Sequence, residues 1–211
     1  MLTGNGLRDR KKLRTREAIV QAAYELFLEK GYDSTTMDDV AARAEVSRST
    51  LFRYFGSKEA LVFPHQDRRL GMFTEILHNP LPGEAPFANA RRALLRLAEE
   101  FWQARRELRL QQRIVAGSPL LQAREMAWYD EWELAIRRAL VAACRNETEQ
   151  SHRARLAAGA MFAIVRTTML EWLRRGCREN LVELAGQEME LIEQAVQGLA
   201  PFLLEPGREK R

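Results

Sequence analysis

The chain has little of what most enzymes and metalloproteins are built from. Its 211 residues include two cysteines and three histidines. Cys144 and Cys177 fit no metal or redox spacing, so two reduced thiols are expected rather than a zinc site or a disulfide scaffold. His65, His78 and His152 are scattered and form no ligand cluster, so no metal is expected. There is no nucleophile elbow and no glycine-rich phosphate loop. Cys177 with His152 is the one conceivable thiol pair, and its spacing does not support catalysis; neither enzyme activity nor a cofactor is expected. No stretch alternates with a two-residue period, and no internal repeat occurs. The first apolar run is short and broken by charge, unlike a secretory leader. The longest, about 156–173, contains Arg166 and Glu171, which argues against a membrane span. A cytoplasmic protein is expected.

What is present is helical period and localised charge. Apolar residues make up 46 % and charged residues 29 %, a balance that suits a folded chain with one small domain and one larger one. The net charge of +4 is too small for a generic polycation. The basic residues are instead concentrated at 8–16 (RDRKKLRTR), which holds six of them and one acid. The expected fold is all-α.

The most informative stretch is Thr35–Val62, TTMDDVAARAEVSRSTLFRYFGSKEALV. Thr36 and Asp39 have the spacing of a helix N-terminus. Met37, Val40, Ala41 and Ala44 share one face of the helix that follows. Glu45 and Val46 fill a turn, and Ser47 is placed to cap a second helix. Leu51 and Phe55 form that helix's inward side. Arg48, Ser49, Phe52 and Arg53 then point outward. Two arginines, a serine and an aromatic ring suit the major groove of duplex DNA, where arginine bonds a guanine edge and a ring touches a thymine methyl. This is a helix-turn-helix with its second helix as reader.

This run resembles the DNA-binding signature of TetR-family transcriptional regulators. It agrees with that pattern at Thr36, Val40, Ala41, Ala44, Val46, Ser47, Thr50, Leu51, Phe55, Lys58, Glu59 and Leu61. It departs at Glu45, where the family has glycine, at Phe52, where it has tyrosine, and at Tyr54, where it has histidine. Glu45 carries a backbone cost if its φ is positive. The strong resemblance covers about residues 14–62. It implies that Arg48 and Ser49 read bases with Phe52 against a methyl or sugar. It also implies that Thr36, Thr50, Arg53, Tyr54 and Lys58 hold the phosphate backbone.

In chain order, residues 1–7 have little pattern and are expected to be disordered. The basic run 8–16 suits an arm on phosphate or in a minor groove. Thr15 is placed to cap a first helix, so the DNA-binding domain (8–62) has helices near 14–30, 36–44 and 48–55. Ser57 is placed to cap a fourth helix, with Lys58 near a phosphate. Pro64 should break it, a candidate hinge between reading head and body.

The body (63–204) is expected to be a larger helical ligand-binding and dimerisation domain. It shows one long or two joined helices over 86–116, then a helix from Ser118-Pro119 with Ser118 as N-cap. An apolar helix follows over 151–175 and a last one near 180–200. The last two carry more apolar surface than one side needs, and the resemblance implies a homodimer through them. It also implies a small-molecule effector. The candidate lining is Phe73, Leu77, Phe101, Trp102, Ile114, Met126, Trp128, Tyr129, Trp132, Phe162 and Trp172, suited to an apolar ligand. FRYFGSKEALVFPHQD also resembles relatives that bind acyl-CoA-like ligands. The expected function is a ligand-responsive regulator, a repressor of a palindromic operator. The alternatives are a helical dimer acting through protein contacts and a transcriptional activator.

Overall fold

The computed structural model describes residues 5–144 and 148–205. Ten helices and a 3-10 turn account for its regular structure, with no strand among the described residues. They are α1 (Asn5–Lys30), α2 (Met37–Arg43), α3 (Arg48–Tyr54), α4 (Lys58–Val62), α5 (Gln66–His78), α6 (Pro86–Gln103), α7 (Arg105–Ala116), α8 (Pro119–Ala142), α9 (Thr148–Arg174) and α10 (Leu181–Leu199), with the 3-10 turn at Pro201–Leu204. Residues 1–4 and the tail 206–211 lie outside the described residues.

The chain divides into two compact units. One comprises residues up to Gln66 together with Leu110–Arg124; the other comprises Asp67–Arg109 and the chain from Glu125 onward. The return of 110–124 to the first unit has no local signal in the sequence, because it depends on packing between residues distant along the chain.

In the first unit α1 packs on α2 and α4, and α2 packs on α3. Ile19, Ala22, Ala23, Leu26 and Phe27 of α1 are buried, as are Val40, Ala41, Leu51, Phe55, Leu61 and Val62. Gly31 closes α1 at φ 88°, a left-handed value that glycine adopts without penalty. Lys30 bonds Asp39 at 2.7 Å, and Arg43 bonds Glu29 at 2.9 Å, which ties the ends of α2 to α1. Helix α1 starts well before the expected residue 14. Thr15 is therefore inside it, donating to the Lys11 carbonyl (3.0 Å) rather than capping. Residues 5–7, expected to be disordered, are helical.

Pro64 does break the chain: α4 stops at Val62 and α5 begins at Gln66. Without an N–H, proline cannot continue the ladder.

The second unit has two apolar clusters. The larger joins Phe73 and Leu77 of α5, Phe87 and Leu94 of α6, Trp132 and Ile136 of α8, Met161 and Phe162 of α9, and Ile192 and Val196 of α10. The smaller collects Ala98, Leu108, Trp172, Cys177 and Leu181. The stretch 86–116 is two helices, parted at Ala104. Ser118 does not cap α8, because its hydroxyl is buried without a hydrogen-bond partner. Asn180 does cap α10, accepting from the Val182 N–H at 3.0 Å.

Candidate nucleic-acid interface

The reading helix is seven residues long, too short to hold itself by its own ladder. Neighbouring side chains hold it. Ser47 accepts from the Thr50 N–H (3.2 Å) and donates to the Thr50 hydroxyl (2.9 Å). Thr36 and Asp39 form a reciprocal capping box on α2, each accepting from the other's backbone N–H at 3.1 and 2.8 Å. The Lys30 ammonium, with the Thr36 N–H and hydroxyl, holds the Asp39 carboxyl far below the usual aspartate range. Between the helices Val46 donates to the Ala41 carbonyl (3.0 Å), and Glu45 stands at φ 53°. Glutamate thus carries the left-handed conformation that glycine would take freely.

This frame buries Leu51 and Phe55 and leaves Arg48, Ser49, Phe52 and Arg53 exposed on one side of α3. The Arg48 guanidinium bonds Asp38 at 2.9 Å and lies 5.5 Å from the Phe52 ring centre. Asp38 had no part in the sequence-based site. Its pairing with Arg48 is exposed on both sides, so it is cheap to exchange for a base edge. Arg53 lies over the half-buried Tyr54 ring at 5.6 Å. Thr36 is exposed, and its hydroxyl donates to Asp39 at 2.7 Å.

Lys58 is placed differently from the expectation. Its ammonium donates to the carbonyls of Tyr32 (2.8 Å), Thr35 (3.0 Å) and Asp33 (3.4 Å), and lies 4.2 Å from the Tyr32 ring centre. It ties α4 to the loop that leads into α2. All three hydrogen-bonding directions of the ammonium are used there, so its geometry is that of an internal brace. Arg16, the last cation of the basic run, is likewise turned inward. It stacks on Phe55 at 4.7 Å and donates to the Pro64 carbonyl. Tyr24 adds a bond to the Val62 carbonyl (2.7 Å). Composition makes Lys58 and Arg16 look like surface residues; only the packing of distant segments reveals them as braces.

Residues 19–63 match the family described as bacterial regulatory proteins, tetR family, and residues 84–197 match the MftR C-terminal domain. The chain belongs to the TetR family. The transcriptional regulator TcmR of Streptomyces glaucescens is 32 % identical over 178 residues, covering 82 % of this chain and 79 % of TcmR. Among solved structures, the SmeT–triclosan complex has a TM-score of 0.62 at 19 % identity, covering 94 % of this chain and 98 % of SmeT. Thermus thermophilus FadR with lauroyl-CoA has a TM-score of 0.52 at 24 % identity, covering 85 % and 94 %. The TetR-family assignment makes the protein a DNA-binding transcriptional regulator and not an enzyme. Burial pushes the Cys177 thiol up to about 11, away from the thiolate a nucleophile requires.

The expected effector lining is split. Phe73, Leu77, Trp132 and Phe162 are buried in the larger cluster, with Trp128 and Tyr129 against it. Trp172 is buried in the smaller one beside Trp102, and Phe101 touches both. Phe73 and Trp132 meet at 5.0 Å between ring centres. Met126, 41 % exposed, does not line either cluster. Ile114 falls in the first unit.

Proposed function

We propose that this TetR-family regulator is a repressor that binds a palindromic duplex operator as a homodimer and releases it when a small apolar or acyl-type effector enters residues 63–204. The observation that carries the reading is the exposed Arg48, Ser49, Phe52 and Arg53 face on a capped helix whose other side is buried. Arg48 and Ser49 are the base readers, with Phe52 against a methyl or sugar. Thr36, Thr50, Arg53 and Tyr54 hold the backbone, while Lys58 acts as a brace. The operator has two half-sites about one helical turn or a little more apart.

The dimer surface lies on α9 and α10. Leu156, Ala160, Ala163, Thr167 and Leu170 recur at steps of three and four along α9, uncharged and half-buried or exposed. On α10, Leu191 is 54 % exposed. Helix α9 is apolar enough by length and composition to span a membrane, yet only 28 % of its most apolar window is buried within the chain. Within a DNA-binding regulator, a second copy is the partner that covers it, in the cytoplasm.

The effector class follows from the aromatic clusters of the second unit, and is supported by triclosan and by the apolar acyl chain of lauroyl-CoA, which the structural relatives bind. Selection of bound sequences from a random duplex pool tests the reading. An enriched inverted repeat is expected, and lauroyl-CoA and triclosan are the first probes for its release. Weak binding that depends on salt but not on sequence would overturn it and favour action through protein contacts.

A further inference from the structure

Helix α1 begins with a long exposed segment. It starts at Asn5, and among its described side chains the first buried one is Ile19. Arg8, Asp9, Arg10, Lys11, Lys12, Leu13 and Arg14 are all exposed. The cations are ordered within this segment. Arg8, Lys11, Lys12 and Thr15 precede Ile19, Ala22, Ala23 and Leu26 at steps of three and four, so they continue the face that packs on the domain core. One stripe of α1 therefore runs apolar inside the domain and basic beyond it. Arg10 is on another side, its guanidinium turned back to the Gly6 carbonyl at 3.0 Å.

This helical segment works against its own electrostatics. No acid stands in its first turn, and its cations lie at the end where the helix dipole favours negative charge. Arg8 with Lys12, and Arg10 with Arg14, are like charges four residues apart. No side chain from Arg8 to Arg14 is packed to compensate; the first to pack on the domain is Arg16, against Phe55. A row of phosphates removes both penalties, because it pairs the cations and places negative charge near the helix N-terminus.

We propose that the Arg8, Lys11 and Lys12 row is a second DNA-contacting element, lying on the phosphate backbone outside the bases read by α3, and that duplex binding consolidates the helix over residues 8–14. The proposal rests on the operator reading. Its test compares two variants of the full-length chain on the selected operator with its flanks: R8Q/K11Q/K12Q, which removes the row, and R10Q/R14Q, which removes cations off it. Each phosphate contact contributes about 0.9 to the slope of log K against log salt. The row variant is therefore expected to lose roughly three units of slope per protomer and the other variant under one. Amide exchange over 8–14 is expected to slow on duplex in the wild type and not in the row variant. Neither variant touches a packed residue, so both should keep the wild-type unfolding midpoint. An unchanged slope in the row variant, or equal losses in both, would overturn the proposal. A wild-type chain that binds no duplex would overturn the operator reading and this proposal together, so the two failures are distinguishable.

Discussion

In the first unit α2 and α3 have seven residues and α4 five, and each begins with a side-chain cap, from Thr36, Ser47 and Ser57. In the second unit α9 has 27 residues and α10 has 19, while α6 starts at Pro86 without a side-chain cap bond. A short helix makes few internal hydrogen bonds and leaves four N–H groups open at its start, so local capping decides whether it forms. A long helix gains most from a buried face. The short helices of the reading head thus need their local caps in addition to a buried core, whereas the long helices of the body rest mainly on apolar area.

Substitutions can break this contrast. Trp172→Ala in the body removes a side chain that is 1 % exposed, and with it the indole bond to the Glu179 carbonyl at 2.9 Å. It should cost about 3–5 kcal/mol in urea unfolding; a loss below 1 kcal/mol would mean that the smaller cluster is not what holds that end of the body. In the head, Arg48→Ala should cost about 1–3 kcal/mol of operator affinity and blur one base position while leaving stability unchanged. Lys58→Ala should do the reverse. It unpairs loop carbonyls, so it should lower stability by about 1–3 kcal/mol and leave the salt slope of DNA binding intact. A slope flattened by about one unit would return Lys58 to the phosphate contacts.

Smaller effects sharpen the contrast. Glu45→Gly should raise stability by about 1 kcal/mol, because the turn needs a positive φ. Thermal unfolding checks the sign. The capping box gives the head an acid sensitivity. The folded pKa of Asp39 is depressed below its ordinary 3.8, so its contribution is present above that value and is lost as pH falls through the folded pKa. The urea midpoint should drop with acid in the wild type, and Asp39→Asn should flatten that part of the dependence.

The reading head was legible because its determinants are local. Thr36 with Asp39, Ser47, Ser57 and Pro64 act within a few residues of themselves, and each makes the cap or break its spacing implies. Two local readings, the caps assigned to Thr15 and Ser118, failed where a local rule met a larger context, and a third residue, Lys58, faces partners that local spacing did not indicate. Thr15 lies inside a longer α1, Ser118 is buried without capping, and Lys58 turns to carbonyls more than twenty residues back along the chain. Asp38, Tyr24 and Arg16 escaped notice for the same reason, since their partners lie 10, 38 and 48 residues away.

The sequence by itself determined the helical class, the helix-turn-helix and the outward face of α3, because helical period and capping chemistry are short-range. Only the tertiary structure decided which cations face solvent and which brace loops, and how the aromatic residues of the body divide between two clusters. It also decided that 110–124 belongs with the first unit. Those outcomes depend on which distant segments share a core, and chain spacing carries no record of that.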